Sequence, residues 1–188
     1  MEDDTLSFYE ERGAEWAAAR SGDHDAAHAQ RFAAEAPEGR LLDLGCGPGW
    51  HLEHLSSFGH KVCGLEGAET LVRLLGKNNI YLGDMRSMPF SDCSFTGVWA
   101  NMSYLHLHTN ELAAAFLELS RVVSTDGIVE MSFYRGDWDG KGFWKDEFGD
   151  RHYTCLTLES LCEYLPDELQ VVRDIGDDSV LRVRLLRV

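Results

Sequence analysis

The sequence of 188 residues lacks a long apolar run, a basic stripe and an excess of positive charge. No apolar run approaches the roughly 20 residues that a membrane-spanning helix needs, and the acidic start at residues 1–5 has neither the basic nor the apolar part of a secretory signal. Lys and Arg number 17 against 32 Asp and Glu, a formal net charge of -15. Such a field repels polyanions, so we expect a cytoplasmic protein without nucleic-acid or membrane partners, and a small neutral or cationic substrate fits it best.

Cysteine is also scarce, and its spacing does not suit a metal or a disulfide framework. The five cysteines form no CxxC pair, and their odd number is typical of free, buried thiols in a reducing compartment. His24 and His28 stand at i and i+4, but a third ligand at helical spacing is missing. The sequence therefore predicts no metal site.

Composition and length predict a single domain over residues 1–188. Its N-terminal part, 1–36, reads as a helical segment that breaks at 21–23, and the α/β core follows at 40–188. Strands are predicted at 40–44, 61–65, 80–82, 95–100 and 128–133, and helices at 48–58, 68–75 and 111–122. This alternation favours a mostly parallel sheet with helices on both faces.

The C-terminal pattern differs from the alternation before it. Two apolar strands, at 169–175 and 180–188, are joined by only four residues, Gly176-Asp177-Asp178-Ser179. A connection that short permits an antiparallel pair and excludes a parallel crossover. Two details of the core are also predicted: Asn110 caps the helix at 111–122, and 125–127 form the turn into the fifth strand.

The most informative segment is LLDLGCGPG at 41–49, a glycine-rich turn between a strand and a helix. Without Cβ atoms, Gly45 and Gly47 let a ligand approach the backbone closely. A helix beginning near Pro48 directs unpaired N–H groups and its positive dipole end at that ligand. The turn therefore predicts a site for an anionic group, such as a phosphate or the carboxylate of a methionine moiety.

Polar side chains follow the next strands at the same sheet edge. Glu66 ends the second strand, about 20 residues after the first glycine, where its oxygens can accept from ribose hydroxyls. Asp84 and Met85 follow the third strand and suit an adenine amino group and ring, and Asn101 closes the fourth strand. Because ligands of open α/β sheets bind at the carboxyl ends of the strands, these residues predict a nucleoside pocket.

Two features separate this pocket from a dinucleotide site. The third glycine of the GxGxxG fingerprint is replaced by Trp50, which would obstruct the packing of helix on strand. The antiparallel hairpin also departs from an all-parallel dinucleotide sheet. An NAD-dependent oxidoreductase is therefore disfavoured.

The segment DLGCGPG at 43–49 resembles the first motif of class I S-adenosylmethionine (SAM)-dependent methyltransferases, in the small-molecule subgroup called type 11. Glu66 and Asp84-Met85 match that family's ribose and adenine contacts. The resemblance implies a Rossmann-like three-layer sandwich with a seven-stranded, mostly parallel sheet and an antiparallel C-terminal hairpin. It implies SAM as cofactor, with binding residues Asp43, Gly45, Cys46, Gly47, Gly49, Glu66, Gly67, Asp84, Met85 and Asn101, and with Tyr9 and Arg20 from an N-terminal lid.

The resemblance implies direct in-line transfer of the methyl group to a small-molecule acceptor, leaving S-adenosylhomocysteine (SAH). A noncatalytic SAM-binding sensor or partner subunit would carry the same binding residues, so that alternative stays open. His106 follows the fourth strand and is the candidate for a base or acceptor contact, beside the alternative of bonding within its loop. The loop at 137–142, with His152 and Tyr153, either forms the acceptor pocket or connects elements.

Overall fold

A computed structural model describes residues 4–20 and 24–188. The predicted break at 21–23 and the first three residues lie outside the described residues. The helices are α1 (Asp4–Ala18), α2 (Ala26–Glu35), α3 (Leu52–Ser56), α4 (Glu69–Leu75), α5 (Thr109–Val122) and α6 (Leu158–Tyr164). The strands are β1 (Arg40–Leu44), β2 (Lys61–Glu66), β3 (Ile80–Leu82), β4 (Phe95–Asn101), β5 (Val123–Tyr134), β6 (Trp138–Gly140), β7 (Lys145–Asp146), β8 (Gly149–Asp150), β9 (Tyr153–Cys155), β10 (Leu169–Asp174) and β11 (Val180–Arg187).

Seven strands form one sheet in the order β10-β11-β5-β4-β1-β2-β3. The pairs β1–β2, β1–β4, β2–β3 and β4–β5 are parallel, whereas β11 is antiparallel to both β5 and β10. The predicted fold class, including the C-terminal hairpin, is confirmed. The parallel pairing brings the carboxyl ends of the first four strands to one edge of the sheet.

Alternating apolar side chains on the strands build a core on each face of the sheet. Leu41 and Trp99 pack with Phe32 of α2 on one face. Leu42 and Val98, one position along each strand, join Phe116 of α5 on the other. This alternation of period two is what a sheet buried on both sides requires. Within residues 4–20 and 24–188, no helix is both long and apolar enough to cross a membrane.

The two N-terminal helices take different positions, although both were expected to belong to one lid. Helix α1 lies on α4, where Glu10 accepts from the Glu69 and Thr70 N–H groups at 2.6 and 3.0 Å. Helix α2 instead buries Phe32 against the sheet. Only α1 therefore has the position of a lid. Since α2 begins at Ala26, His24 precedes it, and the i, i+4 pair with His28 is not on one helix.

Three predicted details of the core are wrong. Helix α3 begins at Leu52 and not near Pro48, because the glycine-rich turn extends further than expected. Helix α5 begins at Thr109, and the His108 N–H donates to the Glu111 carboxylate at 3.0 Å, so Asn110 lies inside the helix. The predicted turn at 125–127 is an irregularity within β5, where Asp126 has a φ of 62°.

All five cysteines are free, as expected. Three of them are buried, whereas Cys93 and Cys162 are exposed, which corrects the expectation of uniform burial. The small strands β6 to β9 and helix α6 were not predicted.

Gly45 is the position where the turn depends most on the absence of a side chain. Its φ is 70°, and a Cβ there would meet the Cβ of Ser103 at 2.5 Å. Gly45→Ala should therefore lower the free energy of unfolding by roughly 2–5 kcal/mol, since backbone strain and overpacking add. Gly59→Ala is the matched control: its φ is 86° with no atom within 4 Å of a Cβ, so only about 1–2 kcal/mol is lost. Equal losses in urea unfolding would contradict the packing role.

Candidate cofactor and acceptor site

A cavity of about 650 Å³ opens at the carboxyl ends of β1, β2, β3 and β4. Helix α1 covers it with Thr5, Leu6, Tyr9 and Trp16. The wall includes His106 and ten of the twelve predicted cofactor residues: Tyr9, Arg20, Gly45, Cys46, Gly47, Glu66, Gly67, Asp84, Met85 and Asn101. Asp43 and Gly49 lie outside the wall.

The glycine turn accommodates a ligand by leaving space. A Cβ on Gly45 would meet that of Ser103 at 2.5 Å, whereas a Cβ on Gly47 would meet nothing within 4 Å. Both residues have left-handed φ values, 70° and 52°. A ligand can therefore reach the Gly47 backbone, as expected.

The N–H groups of the turn were expected to be unpaired and to point at a ligand, but several of them bond protein groups. The Gly45 and Cys46 N–H groups donate to the Leu65 carbonyl oxygen at 2.8 and 3.0 Å, and Gly49 donates to Cys46. Helix α3, with five residues, starts too late to direct its first N–H groups at the turn. The turn thus offers close approach, and an anionic group in the cavity needs cationic side chains instead.

Glu66 joins the turn to the end of β2. One carboxylate oxygen accepts from the Gly47 N–H at 2.8 Å and the other from the Ala68 N–H at 2.9 Å. Burial raises the pKa of Glu66, and the Ala68, Gly47 and Gly67 N–H groups offset part of that rise. Each oxygen keeps a second lone pair, so the carboxylate fits the predicted contact with two ribose hydroxyls.

Asp84 and Asn101 are already engaged by protein groups. The Arg86 side chain and N–H donate to both oxygens of Asp84 at 2.7 to 2.9 Å. Although burial opposes ionisation, these bonds lower the pKa of Asp84. The Asn101 amide donates to Asp25 at 3.1 Å, and its oxygen accepts from Arg182 and Ser132. An adenine amino group would share Asp84 with Arg86.

Asp43 and Cys46 are both buried, but only Cys46 lines the cavity. Asp43 is 2% exposed, and burial, together with the nearby Glu66, raises its pKa to about 8. One of its oxygens is buried without a partner among the described residues. Burial likewise raises the pKa of the Cys46 thiol. These placements correct the expectation that Asp43 contacts a cofactor directly.

The residues present fit SAM. The open Gly47 backbone and the Glu66 carboxylate lie on one wall of the cavity, and three aromatic rings lie on another part of it. Trp16 contacts Tyr9 and Trp50 with ring centroids 5.2 and 5.3 Å apart, which gives the cavity π-faces suited to a cation. Trp50, which argued against a dinucleotide, therefore also lines the site.

His106 lies in this wall on a short 3-10 turn, Tyr104–His106, and its two ring nitrogens have defined partners. Nδ1 lies 3.0 Å from the His152 carbonyl oxygen and Nε2 lies 3.2 Å from the Tyr9 hydroxyl. A carbonyl only accepts, so Nδ1 carries the proton and Nε2 accepts from Tyr9. Burial lowers the pKa of His106 to about 4 and raises that of Tyr9 to about 12, which keeps both neutral at pH 7.

The sequence-based prediction missed Arg151, which precedes the two residues it named, His152 and Tyr153. Arg151 lines the cavity, is 3% exposed, and lies 4.5 Å from the Phe8 ring centroid. Its Nη2 donates to Asp146 at 2.6 Å, whereas its Nε is buried without a partner among the described residues. Tyr153 also lines the cavity, but the loop at 137–142 and His152 lie outside its wall.

Comparison with known proteins gives a family match over the turn and the parallel strands. Residues 42–131 match the family model described as a methyltransferase domain. The resemblance seen in the sequence is thereby confirmed, with SAM as the cofactor of that family.

Curated relatives match about half of the chain. The malonyl-[acyl-carrier protein] O-methyltransferase of Erwinia billingiae is 38% identical over 102 residues, which is 52% of this chain and 40% of that protein. The enzyme of the same name from Erwinia pyrifoliae is 35% identical over 97 residues, 50% of this chain and 36% of that protein. The matched region thus spans about two fifths of each relative's length.

Solved structures share the fold at low identity. DhpI in complex with SAH has a TM-score of 0.76 at 19% identity, covering 98% of this chain and 95% of its own. An S-adenosylmethionine-dependent methyltransferase from Clostridium acetobutylicum has a TM-score of 0.72 at 13% identity, covering 88% and 93%.

Glu66 gives the sharpest test of the cofactor half of the cavity. Glu66→Ala should weaken SAH binding by roughly 1.5–3 kcal/mol, about 10- to 150-fold, because hydrogen bonds to a charged acceptor are lost. Calorimetric titration with SAH measures the change. Glu163→Ala is the control, because Glu163 is exposed on α6 and lies outside the cavity wall. Unchanged affinity in a folded Glu66→Ala protein would place the ribose elsewhere.

Proposed function

We propose that this chain, whose residues 42–131 match the methyltransferase-domain family model, transfers a methyl group from SAM to an oxygen of a small acid. The buried Arg151 in the cavity wall carries the proposal. A guanidinium fork pairs with a carboxylate through parallel hydrogen bonds, so it suits an acceptor that ends in one.

Local charge supports an anionic acceptor in spite of the net charge of -15. Arg151 and Arg20 both donate to the same Asp146 oxygen at 2.6 Å, so two cations share one anion beside the cavity. Although burial opposes ionisation, Arg151, the Phe148 N–H and Arg20 lower the pKa of Asp146, which keeps it charged. One positive charge is therefore in excess around Asp146, and this local excess favours an acid although composition alone predicts a neutral or cationic substrate.

The curated relatives support the same acceptor class. The two Erwinia proteins are named as O-methyltransferases of a malonyl group on an acyl carrier protein, which carries a free carboxylate. Because the match spans 40% and 36% of those proteins, this chain is proposed to share the acceptor chemistry of the matched part.

The chain's own residues have to bind and orient the reactants and to exclude water from them. When bound, SAM supplies a sulfonium-activated methyl group that an acceptor oxygen can take directly, in line with the sulfur. Glu66 and Gly47 would hold the nucleoside side, and Arg151 would orient the acid. Positioning of this kind can supply roughly 7–11 kcal/mol of the barrier in the best cases. A carboxylate has no proton to lose, so a base is not required.

His106 then acts through Tyr9, as a positioning residue. Its lone pair at Nε2 is used by the Tyr9 hydroxyl, and Tyr9 lies 3.5 Å from the Arg151 Nη1. The imidazole therefore orients the hydroxyl that contacts the acceptor-binding guanidinium.

The noncatalytic alternative is less favoured, because the curated relatives are named as enzymes. The fold by itself does not decide the reaction: a [4+2]-cyclase, SpnF, has a TM-score of 0.70 at 16% identity and covers 88% of this chain. A sensor would bind SAH but would not convert SAM to SAH with any acceptor.

Incubation of the protein with methyl-labelled SAM and a panel of carboxylic acids, including malonyl thioesters, should yield SAH and a labelled ester. Mild alkali should release the label as methanol, which distinguishes an ester from N- or C-methylation. Arg151→Lys should raise the acceptor KM roughly 10- to 150-fold, since charge-assisted hydrogen bonds worth about 1.5–3 kcal/mol are disrupted. SAH affinity should stay within about twofold.

Arg73→Lys is the control, because Arg73 pairs with Glu69 on the exposed side of α4. Alkali-stable label would exclude ester formation. A large loss of SAH affinity in Arg151→Lys would assign this guanidinium to the cofactor carboxylate and not to the acceptor.

The roles of His106 and Tyr9 can be separated by a double-mutant cycle. His106→Ala and Tyr9→Phe should each lower kcat. The double variant should lose little more, because both substitutions remove the same hydrogen bond between the Tyr9 hydroxyl and His106. SAH affinity should be unchanged, and kcat should be flat from pH 6 to 8, as a group with a pKa of about 4 predicts. Loss of activity in His106→Ala alone, with normal Tyr9→Phe, would instead identify His106 as a base.

A further inference from the structure

Beside the cavity, three side chains from separate segments meet at one point. His108 precedes α5, Asp139 lies in β6, and His152 precedes β9. Each offers one donor atom, and these three atoms all lie within 4.8 Å of one another. Two imidazoles and one carboxylate are a ligand set that divalent transition metals bind in proteins.

The distances match those between ligands of one metal ion. His152 Nε2 lies 3.0 Å and His108 Nδ1 lies 3.6 Å from the same oxygen of Asp139. Around Zn²⁺, bonds of about 2.0–2.1 Å at the tetrahedral angle place neighbouring ligand atoms roughly 3.3 Å apart. The two imidazole rings also contact each other, with ring centroids 3.8 Å apart.

Surrounding groups orient the carboxylate for this role. The Thr109 N–H and hydroxyl donate to the other oxygen of Asp139 at 3.2 and 2.5 Å. This bonding directs the remaining oxygen towards the imidazoles, as partners behind a metal ligand commonly do. Burial opposes ionisation, but the Thr109 bonds and the two histidines lower the pKa of Asp139, so it is a carboxylate at neutral pH.

We propose that His108, Asp139 and His152 bind a divalent transition-metal ion, with Zn²⁺ as the best-matched probe. The His108 side chain is 55% exposed and Asp139 is 33% exposed, so an ion can enter and keep water or another ligand in a fourth position. This site does not depend on the proposed methyl transfer.

The ion would hold the acceptor wall of the cavity in place. His152 is 4% exposed, and its carbonyl oxygen accepts from His106 at 3.0 Å. Its chain neighbours, Arg151 and Tyr153, both line the cavity. An ion bound by His152, His108 and Asp139 would therefore fix residues 151–153, which supply the acceptor contacts, to the segment where α5 starts. The role is structural, since the three ligands lie outside the cavity wall.

Titration of tag-free, chelator-treated protein with Zn²⁺ tests the proposal directly. Calorimetry should show one equivalent bound, and Co²⁺ should give visible absorption bands. At a hundredfold excess over Kd, Zn²⁺ should raise Tm by roughly 5–10 °C. His108→Ala and Asp139→Asn should remove both the equivalent and the Tm shift. His54→Ala is the matched control. The His54 imidazole bonds Gln30 and does not belong to the cluster, so this variant should keep both the bound equivalent and the Tm shift.

SAH binding serves as the folding check for the variants, because the cofactor residues are separate from the cluster. If His108→Ala or Asp139→Asn fails that check, Thr109→Ala keeps all three ligands and should weaken Zn²⁺ binding roughly 10- to 100-fold. The proposal is overturned if the wild-type protein binds no stoichiometric Zn²⁺, or if folded variants bind it as the wild type does.

Discussion

The Glu66 carboxylate is the interaction on which the arrangement of the site depends. By accepting from the N–H groups of Gly47 and Ala68, it ties the glycine turn after β1 to the segment after β2. The cost is a buried charge, visible in the raised pKa of Glu66 and, through the shared field, in that of Asp43. A ligand hydroxyl that donates to Glu66 would relieve part of this cost, so stability and binding are linked at the same atom.

The charge beside the cavity differs in sign from the net charge of the chain. A chain with a net charge of -15 has two arginines converging on one aspartate beside its cavity. Aromatic rings surround Arg151, with Tyr9, Trp16 and Tyr153 each within about 6 Å of its guanidinium carbon. In this apolar setting a buried donor without a partner, such as the Arg151 Nε, is costly. The proposed preference for an acid therefore rests on the local environment of Arg151 and not on the overall charge.

The sequence predicted β1 to β4 well because these parallel strands are short, apolar and bounded by turn residues. Strands at 40–44 and 80–82 match β1 and β3 exactly, and the hairpin strands differ only at their ends. Ten of the twelve predicted cofactor residues line the cavity, since most of them follow the strand ends. Arg151 and the position of α2 were not predicted, because their partners are far away in sequence and no periodic pattern marks them. The start of α3 was misplaced since three left-handed glycines lengthen the turn.

The acceptor wall owes its shape to contacts between distant segments. His106 bonds the His152 carbonyl on one side and the Tyr9 hydroxyl of α1 on the other. Arg151 contacts Tyr9 as well, and it pairs with Asp146 at the end of β7. Helix α1, the 3-10 turn and the segment at 151–153 therefore form one connected network, in which a change at any member is transmitted to the guanidinium.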